Sequence, residues 1–319
     1  MKSKFSINYA NKKELSQWDS FVDNSINGTI YHKRKFLSYH HNRFKNDERW
    51  VIIKKSNEAI VQIGYCLFEE NSRIIAKSPY GASYGGFIFK NQPNYQSFSE
   101  IIKLFNKHLV DNEIFSIKII NPISCCSIQH LDLIPYVLIE NGYQSKLRQI
   151  SSIIDFANGN VDDIVTSRAR NMERKAINSG IIIKHLASID DYWIPMLETF
   201  TRHGSKPTHT KNQLKELMTK FPKHITLDVA YLQNEPVGGI CYFTINDYLK
   251  CSFYFCQTKE GQNSQSLSCL LMSGLRQAQK EGYRYLDFGT TSLKPFFLFK
   301  ESFSKDTNIR ETFEWRYNG

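Results

Sequence analysis

Near its C-terminus the chain reads Gly282-Tyr-Arg-Tyr-Leu-Asp-Phe-Gly289-Thr-Thr-Ser292, followed shortly by Phe299-Lys300-Glu301-Ser302-Phe303. The aromatic residues and leucine around Asp287 favour an extended backbone, and Gly289 permits a turn directly after it. The segment follows a long helical stretch, so we predict a strand that ends at a carboxylate. A carboxylate at a strand end of an α/β fold is a candidate for the active site.

An internal repeat organises the chain. The run Trp50–Phe68 predicts a β-hairpin around a Ser-Asn-Glu turn, and Thr226–Phe243 repeats this pattern around Asn234-Glu235. In each half a further strand, a helix and a short strand follow, with helix candidates at Tyr95–Val110 and Ser264–Lys280. The shared β-β-β-α-β order predicts two similar domains. The alternative is coincidence, because hairpins followed by helices are common.

Two stretches carry a resemblance to a known family. The segment 282–303 resembles the C-terminal part of the Fem-type tandem acyltransferases of the GNAT superfamily, with its Asp-Phe-Gly strand and Phe-Lys-x-x-Phe turn. The run 168–180 is similar to the helix that opens their second domain. The resemblance implies an α/β fold (an α+β mixed sheet) with two tandem GNAT-like domains. Residues 1–155 would form the acceptor side, and residues 156–319 the acyl-CoA side.

The resemblance also implies where the donor binds. In a GNAT fold the fourth and fifth strands splay apart and admit the pantetheine arm of an acyl-CoA. Here these strands would be Lys250–Cys256 and Tyr283–Phe288. Backbone groups that lose their ladder partners at such a gap can polarise a thioester carbonyl. This role needs no particular side chain.

Length, composition and charge limit the class of protein to which the chain can belong. The 319 residues suggest two domains, and we expect a cytoplasmic protein because no apolar run approaches the length of a transmembrane helix. The seven cysteines show no metal-binding or disulfide spacing, so we expect them to be reduced core residues. A net charge of +10 favours an anionic partner such as CoA, a sugar nucleotide, tRNA or a membrane surface.

Three residues are candidates for catalysis. Asp287 is expected to orient or deprotonate an acceptor amine, and Tyr254, on the neighbouring strand, to protonate the departing thiolate. His203 lies in a polar segment rich in helix breakers and could accept the proton of the amine, with His209 as a weaker candidate. The alternative for either histidine is an ordinary surface or core position.

Eight residues are predicted to bind acyl-CoA. A basic helical run concentrates positive charge that suits phosphate, and the polar start of the second-half helix suits a pyrophosphate. The alternatives are a solvated helix face and ordinary N-capping by Ser264 or Asn263. The full set, which includes the lysine of the Phe-Lys-x-x-Phe turn, is Arg168, Arg170, Arg174, Lys175, Ser264, Ser266, Ser268 and Lys300.

The first half is predicted to bind the acceptor. The glycine-rich run Ala76–Phe87 presents Tyr80 and Tyr84, which could hold a base or sugar, and Lys77 belongs to the same run. A bulged strand with a tight turn is the alternative. His32, in the early element that follows the first helix, is a weaker acceptor candidate.

The chemistry is expected to be direct transfer, because nucleophile elbows, phosphate-binding loops and metal motifs are absent from the sequence. The resemblance implies an N-acyltransferase that uses acyl-CoA as co-substrate, with no permanently bound cofactor or metal and no DNA partner. Its acceptor would be an amino sugar on dTDP or UDP, for bacterial surface polysaccharide. Aminoacyl-tRNA-dependent Fem enzymes usually carry long helical arms, and no heptad insertion is visible here. A tRNA-dependent transferase and a non-catalytic GNAT module remain as alternatives.

Overall fold

The computed structural model describes residues 4–127, 129, 131–291 and 293–317. The chain divides into two compact units. Unit 1 combines the residues up to 149 with those from 309 onward, and unit 2 comprises residues 150–308. The chain therefore passes between the units twice. The predicted boundary at residue 155 lies close to the first crossing, whereas the second crossing, at residues 308–309, was not predicted.

Unit 1 is built from an antiparallel hairpin region, a long helix and a returning strand. Its elements are β1 (Phe5–Tyr9), α1 (Lys12–Ser16), α2 (Trp18–Asp23), α3 (Arg34–Leu37), β2 (Glu48–Lys55), β3 (Glu58–Glu70), β4 (Arg73–Ser78), β5 (Ile88–Phe89), α4 (Tyr95–Asp111), β6 (Ser116–Ile120) and α5 (Leu133–Glu140). Strand β7 (Gln144–Asp155) then leads into unit 2.

Unit 2 repeats this plan. Its elements are α6 (Val161–Ile164), α7 (Ser167–Asn178), β8 (Ile182–Lys184), α8 (Ile189–Arg202), α9 (Lys211–Lys220), β9 (Ile225–Leu232), β10 (Glu235–Thr244), β11 (Leu249–Gln257), α10 (Lys259–Asn263), α11 (Ser266–Lys280), β12 (Tyr285–Thr291) and α12 (Lys294–Glu301). Strand β13 (Thr307–Arg316) returns the chain to unit 1.

The strand order shows the repeat directly. Unit 1 has the order β1-β2-β3-β4-β6-β13, and unit 2 has β7-β12-β11-β10-β9-β8. The parallel pairs are β4 with β6 and β11 with β12, each joined through a long helix. Thus β2-β3-β4-α4-β6 corresponds to β9-β10-β11-α11-β12. This arrangement confirms the predicted mixed α/β fold with a repeated β-β-β-α-β order.

Both predicted hairpins are present, with the same turn. The loops Ser56-Asn57 and Gln233-Asn234 each contain two residues with positive φ, at 49° and 68° in the first and 51° and 69° in the second. Two residues in this conformation match the right-handed twist of the flanking strands. Asparagine tolerates the left-handed region better than most residues, which explains why it occurs at the second position of both turns.

Each unit buries its own core. In unit 1, the amphipathic helix α4 packs Phe98 and Phe105 against the sheet, and in unit 2 helix α11 does the same with Leu271 and Leu275. All seven cysteines lie in the described residues, where they are buried and unbridged, as expected. Within the described part of the chain, no helix has the length and hydrophobicity needed to cross a bilayer.

Two helix boundaries refine the prediction. The acidic first turn and the terminal Gly180 of the segment 162–180 predict one helix. The structure has two helices there, because Thr166 caps a new helix by accepting a hydrogen bond from Ala169 N at 3.3 Å. Gly180, with a φ of +88°, follows the C-cap residue Ser179 of that helix and lies at the predicted stop. The final strand of unit 2 runs over Tyr285–Thr291, two residues later than its predicted start at Tyr283.

Candidate active site

The parallel strands of unit 2 separate at Asp287. Pairing between β11 and β12 begins at Leu249–Tyr285 and ends at Cys251–Asp287. Strand β11 nevertheless continues to Gln257, and β12 continues to Thr291. Within the described residues, Ser252–Gln257 thus has no ladder partner on β12, as the splayed-strand prediction required. Peptide groups of Ser252–Cys256 on that edge are available to another molecule, whereas Thr199 Oγ1 already binds both the amide and the carbonyl of Gln257.

Irregularities in both strands explain the separation. Cys241 of β10 pairs with Tyr254, but the next residue, Tyr242, pairs with Ser252, so Phe253 forms a bulge in β11. Strand β12 shifts its register against β7 between Asp287 and Thr290. A bulge bends its strand and increases the local twist. Both deviations begin next to the last pair, and they direct the strands apart.

Asp287 is buried at this point, with 1% of its surface exposed. Its Oδ1 accepts hydrogen bonds from Ser151 Oγ at 2.5 Å and from Gly289 N at 2.8 Å. Burial raises the pKa of the carboxyl, whereas these hydrogen bonds and the nearby Lys300 oppose the rise. The carboxylate therefore fixes the turn at Gly289, whose φ is +74°.

Lys300 holds the same segment from α12. Its Nζ donates to Gly289 O at 2.7 Å, to Thr290 O at 3.2 Å and to Thr291 Oγ1 at 2.6 Å. Burial lowers the pKa of this ammonium to about 8, and the charge of Asp287 opposes the shift. Asp287 and Lys300 together fix the bulged end of β12. The sequence placed Lys300 with the donor-binding residues, and the structure places it beside the candidate catalytic carboxylate.

Tyr254 lies on the unpaired part of β11 and contacts a histidine. Its hydroxyl lies 2.7 Å from His209 Nδ1 and accepts a hydrogen bond from His209 N at 3.2 Å. Burial raises the pKa of the phenol to about 12, so it stays protonated at neutral pH. His203 is exposed at the end of α8, where its amide donates to Thr199 O at 3.2 Å. The structure thus brings Tyr254 together with His209 rather than with His203.

The sequence did not indicate Ser151. This serine is buried on β7 and reaches Asp287 through the antiparallel pairing of β7 with β12. The two residues are far apart in the chain, and β7 precedes the repeat of unit 2. Only the pairing of these strands could have shown the contact.

The three serines predicted at the pyrophosphate site face the interior. Ser264 Oγ donates to Glu260 O at 2.9 Å, and Ser268 Oγ lies 3.7 Å from Met172 Sδ. Ser266 is fully buried against Gly238 and Gly261, where an added Cβ would lie 2.6 Å and 2.8 Å from its hydroxyl. The short helix α10 precedes α11 directly. The hydroxyls therefore serve packing, and the amide of Ser268 in the first turn of α11 already donates to Gln265 O at 3.0 Å.

The basic run of α7 keeps its charge at the surface. Arg168, Arg174 and Lys175 are exposed and form no ion pair among the described residues. Glu173, the acidic residue of this run, is instead bound to Arg276 of α11. Arg170 differs, because its guanidinium donates to Asp162 O at 2.7 Å and to Val165 O at 2.8 Å. Three cations are thus available to an anion, and Arg170 stabilises the start of the helix.

The predicted acceptor residues of unit 1 are mostly enclosed. Tyr80 and Tyr84 are each 4% exposed, and Tyr80 packs edge-on against Phe44 with ring centroids 5.4 Å apart. His32 Nδ1 lies 2.8 Å from Thr29 Oγ1, and burial lowers the pKa of this histidine to about 4. Lys77 forms an ion pair with Glu70 at 2.8 Å. The structure therefore does not gather these four side chains into one open pocket.

Comparisons with known proteins identify the fold. No family model matches the sequence, and no curated protein matches it significantly. Among solved structures, FemX is similar over 98% of both chains, with a TM-score of 0.72 and 11% identity. L-PGS from Bacillus licheniformis is similar over 98% of this chain and 94% of its own, with a TM-score of 0.58 and 13% identity.

A tandem GNAT protein from the clavulanic acid biosynthesis pathway is similar over 98% of both chains, with a TM-score of 0.56 and 10% identity. Identities this low establish the fold alone. Together with the repeated β-β-β-α-β units and the splayed strands, they show that the chain has the Fem-type tandem GNAT fold.

Proposed function

We propose that the protein is an N-acyltransferase whose donor carbonyl binds in unit 2, between β11 and β12. The observation that carries the proposal is the end of strand pairing at Cys251–Asp287, from which Ser252–Gln257 continues, in the part of the chain that the structure describes, without a β12 partner. Such an edge offers peptide N–H groups to a carbonyl oxygen that becomes negative during attack. A buried carboxylate and a buried lysine hold the opposite strand in place.

The reaction is direct attack of an amine on a thioester. The amine nitrogen forms a bond to the acyl carbon, the carbon–sulfur bond breaks, and the thiolate leaves. Tyr254 is the acid for the thiolate, since burial keeps its phenol protonated and His209 Nδ1 lies 2.7 Å from its oxygen. The proton that the amine loses restores the phenol. Atoms and charges balance without a further reactant.

Asp287 is proposed to position the acceptor rather than to act as an exposed base. Its Oδ1 already accepts two hydrogen bonds, and its side chain has almost no exposed surface. Through Gly289 it fixes the strand end that faces the gap, and Lys300 fixes the following two residues. A fixed strand end lets the acceptor approach the carbonyl without prior reorganisation.

The donor and acceptor follow from charge and from the family resemblance. We propose acyl-CoA as donor, because the gap suits an extended pantetheine arm. Arg168, Arg174 and Lys175 would bind phosphate of CoA or of the acceptor, which we propose to be an amino sugar linked to dTDP or UDP. The predicted assignment of unit 1 to the acceptor and unit 2 to the donor belongs to this proposal.

Aminoacyl-tRNA is the second candidate donor. The net charge of +10 suits a polyanion, and Ser264, Ser266 and Ser268 are all engaged inside the fold rather than directed toward a pyrophosphate. With this donor the carbon–oxygen bond of an aminoacyl ester would break, and the ribose hydroxyl would leave.

Mass spectrometry of the reaction products tests the proposal. The purified protein is incubated with a panel of acyl-CoAs and amino-sugar nucleotides, and in parallel with aminoacyl-tRNA and the same acceptors. We expect an acceptor whose mass rises by one acyl group in the acyl-CoA series. Transfer only from aminoacyl-tRNA would establish the second candidate. An absence of transfer in both series would exclude these two functions and support a binding module.

A further inference from the structure

A separate cavity in unit 2 contains a cluster of titratable side chains. It has a volume of about 510 Å³ and lies against α11, β9, β11 and the segment after β8. Neither Asp287 nor Tyr254 is among the residues that line it. The charged and polar side chains that line it are His185, Lys223, Asp228, Lys250, Gln277 and Glu281. Its size is that of a small-molecule site.

His185 connects an acid to a hydroxyl in this cluster. Its Nδ1 lies 2.9 Å from Asp228 Oδ2, and its Nε2 lies 3.0 Å from Ser273 Oγ. Asp228 is 5% exposed on β9, whereas Ser273 is partly exposed on α11, next to the cavity-lining Gly274. An ionised carboxylate can only accept, so it fixes the imidazole proton on Nδ1. In the neutral imidazole, Nε2 is then free to accept the proton of Ser273.

We propose that Ser273, His185 and Asp228 form a second, nucleophilic site, which accepts acyl groups from small esters or thioesters. The three residues have the connectivity of a nucleophile, a general base and a group that orients the base. They come from three different elements and meet beside a cavity able to hold a substrate. A purely structural bridge between β9 and α11 is the competing explanation, and it predicts no enhanced reactivity of Ser273.

The proposed step balances without an additional oxidant or metal. Ser273 Oγ forms a bond to the acyl carbon while its proton moves to His185 Nε2, and the leaving alcohol or thiol takes that proton. Water then attacks the acyl-serine, with His185 again as base, and releases the acid and the free serine. Hydrolysis of the ester is the net reaction.

Of the two lysines that line the cavity, Lys250 is the one that we assign to the oxyanion. The backbone amides around Ser273 belong to the hydrogen-bond ladder of α11, so a side chain must supply this role. Lys250 lines the cavity, and its charge is close enough to influence the pKa of His185. One of its three ammonium hydrogens binds Glu281 at 2.7 Å. The hydrogen bond to Asp228 raises the pKa of His185, which strengthens it as a base.

A serine-directed fluorophosphonate tests the proposal. In this probe, phosphorus forms a bond to the serine oxygen and fluoride leaves. We expect one covalent adduct by intact-mass spectrometry of the full chain, with peptide mapping to Ser273. Ser273→Ala should lose the adduct, and His185→Gln should label about 100-fold more slowly because it lacks the base. Ser179→Ala, an exposed helix-end serine without a histidine partner, is the matched control and should label like the wild type.

Mapping in the wild type keeps the test valid even if a variant folds poorly. An adduct elsewhere, no adduct at Ser273, or equal labelling rates in the wild type and a folded His185→Gln variant would overturn the proposal. Asp287→Asn should retain the labelling, because Asp287 belongs to the other site. The outcome is therefore independent of the proposed N-acyltransferase function.

Discussion

The two units use the same strand order but treat the end of the parallel pair differently. In unit 1, pairing between β4 and β6 ends at Ser78–Ile119, and β4 ends there as well. The following loop folds back, so that Gly85 N donates to Ile120 O at 2.8 Å and Gly86 N donates to Ser78 Oγ at 2.9 Å. In unit 2, β11 continues past the last pair with β12, and the end of β12 is held by Lys300 of α12, which donates to Gly289 O and Thr290 O.

The two units also differ in the residue at the last pair of the parallel strands. Ile119 is fully buried in the core of unit 1, whereas Asp287 occupies the matching register position in unit 2. Bulges direct β11 and β12 apart, but β3 and β4 pair without a register shift. The repeat in unit 1 thus has a closed strand end with an apolar residue, and the repeat in unit 2 has an open strand end with a carboxylate. Under the proposed function, the open strand end of unit 2 is the one that would hold the donor.

The largest effect is expected from Asp287→Asn. The substitution removes the charge that balances Lys300 and weakens the hydrogen bond to Gly289 N, so the strand end that positions the acceptor is less fixed and kcat should fall about 100-fold. Affinity for the acyl donor should stay nearly unchanged, because the unpaired edge of β11 remains. Steady-state kinetics and donor titration measure the two quantities. Ile119→Val, at the same register position in unit 1, is the control and should keep normal kcat. Near-normal turnover of Asp287→Asn would show that the carboxylate at the strand end of unit 2 contributes no more to catalysis than Ile119 does in unit 1.

Tyr254→Phe should have the next largest effect. It removes the proposed acid and its contact with His209 while keeping the ring, so kcat should fall roughly 10- to 100-fold. Acyl donors with a better leaving group should lose less activity, because an acid matters less to them. Tyr80→Phe, in unit 1, should leave kcat unchanged. An equal loss in both variants would show that the phenols matter only for packing.

Arg174→Ala should raise one KM about 10-fold, since a charge-assisted hydrogen bond contributes roughly 1.5 to 3 kcal/mol. The salt dependence of the same KM should become weaker. Arg170→Ala is the matched comparison, because Arg170 is bound to backbone carbonyls of the preceding turn. That variant should mainly lower stability. If Arg174→Ala alters neither KM, the basic face of α7 is only solvated surface.

Two glycine substitutions compare the closed and open strand ends by stability. At Gly86, with φ +87°, an added Cβ would lie 2.5 Å from Asn121 Oδ1 and 2.9 Å from Ile119 Cγ2. At Gly289, with φ +74°, the nearest atom to an added Cβ would be Ser252 O at 3.9 Å. We expect Gly86→Ala to lower the free energy of unfolding by about 3 kcal/mol and Gly289→Ala by about 1 kcal/mol. Urea denaturation measures both, and equal losses would contradict an open end in unit 2.

Local sequence signals predicted most of the fold. The two asparagine-containing turns set the hairpins, Gly180 marks a helix end, and the run before Asp287 has the β-rich composition of a strand. Long-range pairing was the part that sequence could not give. The contact of Ser151 with Asp287 depends on β7 lying beside β12, and the return of residues 309–317 to unit 1 depends on β13 pairing with β6.

The candidate site was less predictable. For a polar residue at a helix start or in a glycine-rich loop, the local sequence is the same whether the side chain faces solvent or the interior. Ser266 packs against two glycines, and Tyr80 and Tyr84 fill an aromatic cluster. Likewise, His203 and His209 occupy the same polar segment, but only His209 reaches Tyr254. Their environments depend on neighbours from distant parts of the chain.

Hydrogen–deuterium exchange with and without acyl-CoA tests the central claim most directly, because it reports backbone amides in each unit separately. We predict that the donor slows exchange in the peptides that cover Ser252–Gln257 and the end of β12, while those covering Ser78–Gly86 and β6 stay unchanged. Aminoacyl-tRNA, the second candidate donor, should protect the same edge of β11 if it is the true substrate. Protection confined to unit 1, or no protection of Ser252–Gln257 by either donor, would contradict the assignment of the donor site to unit 2.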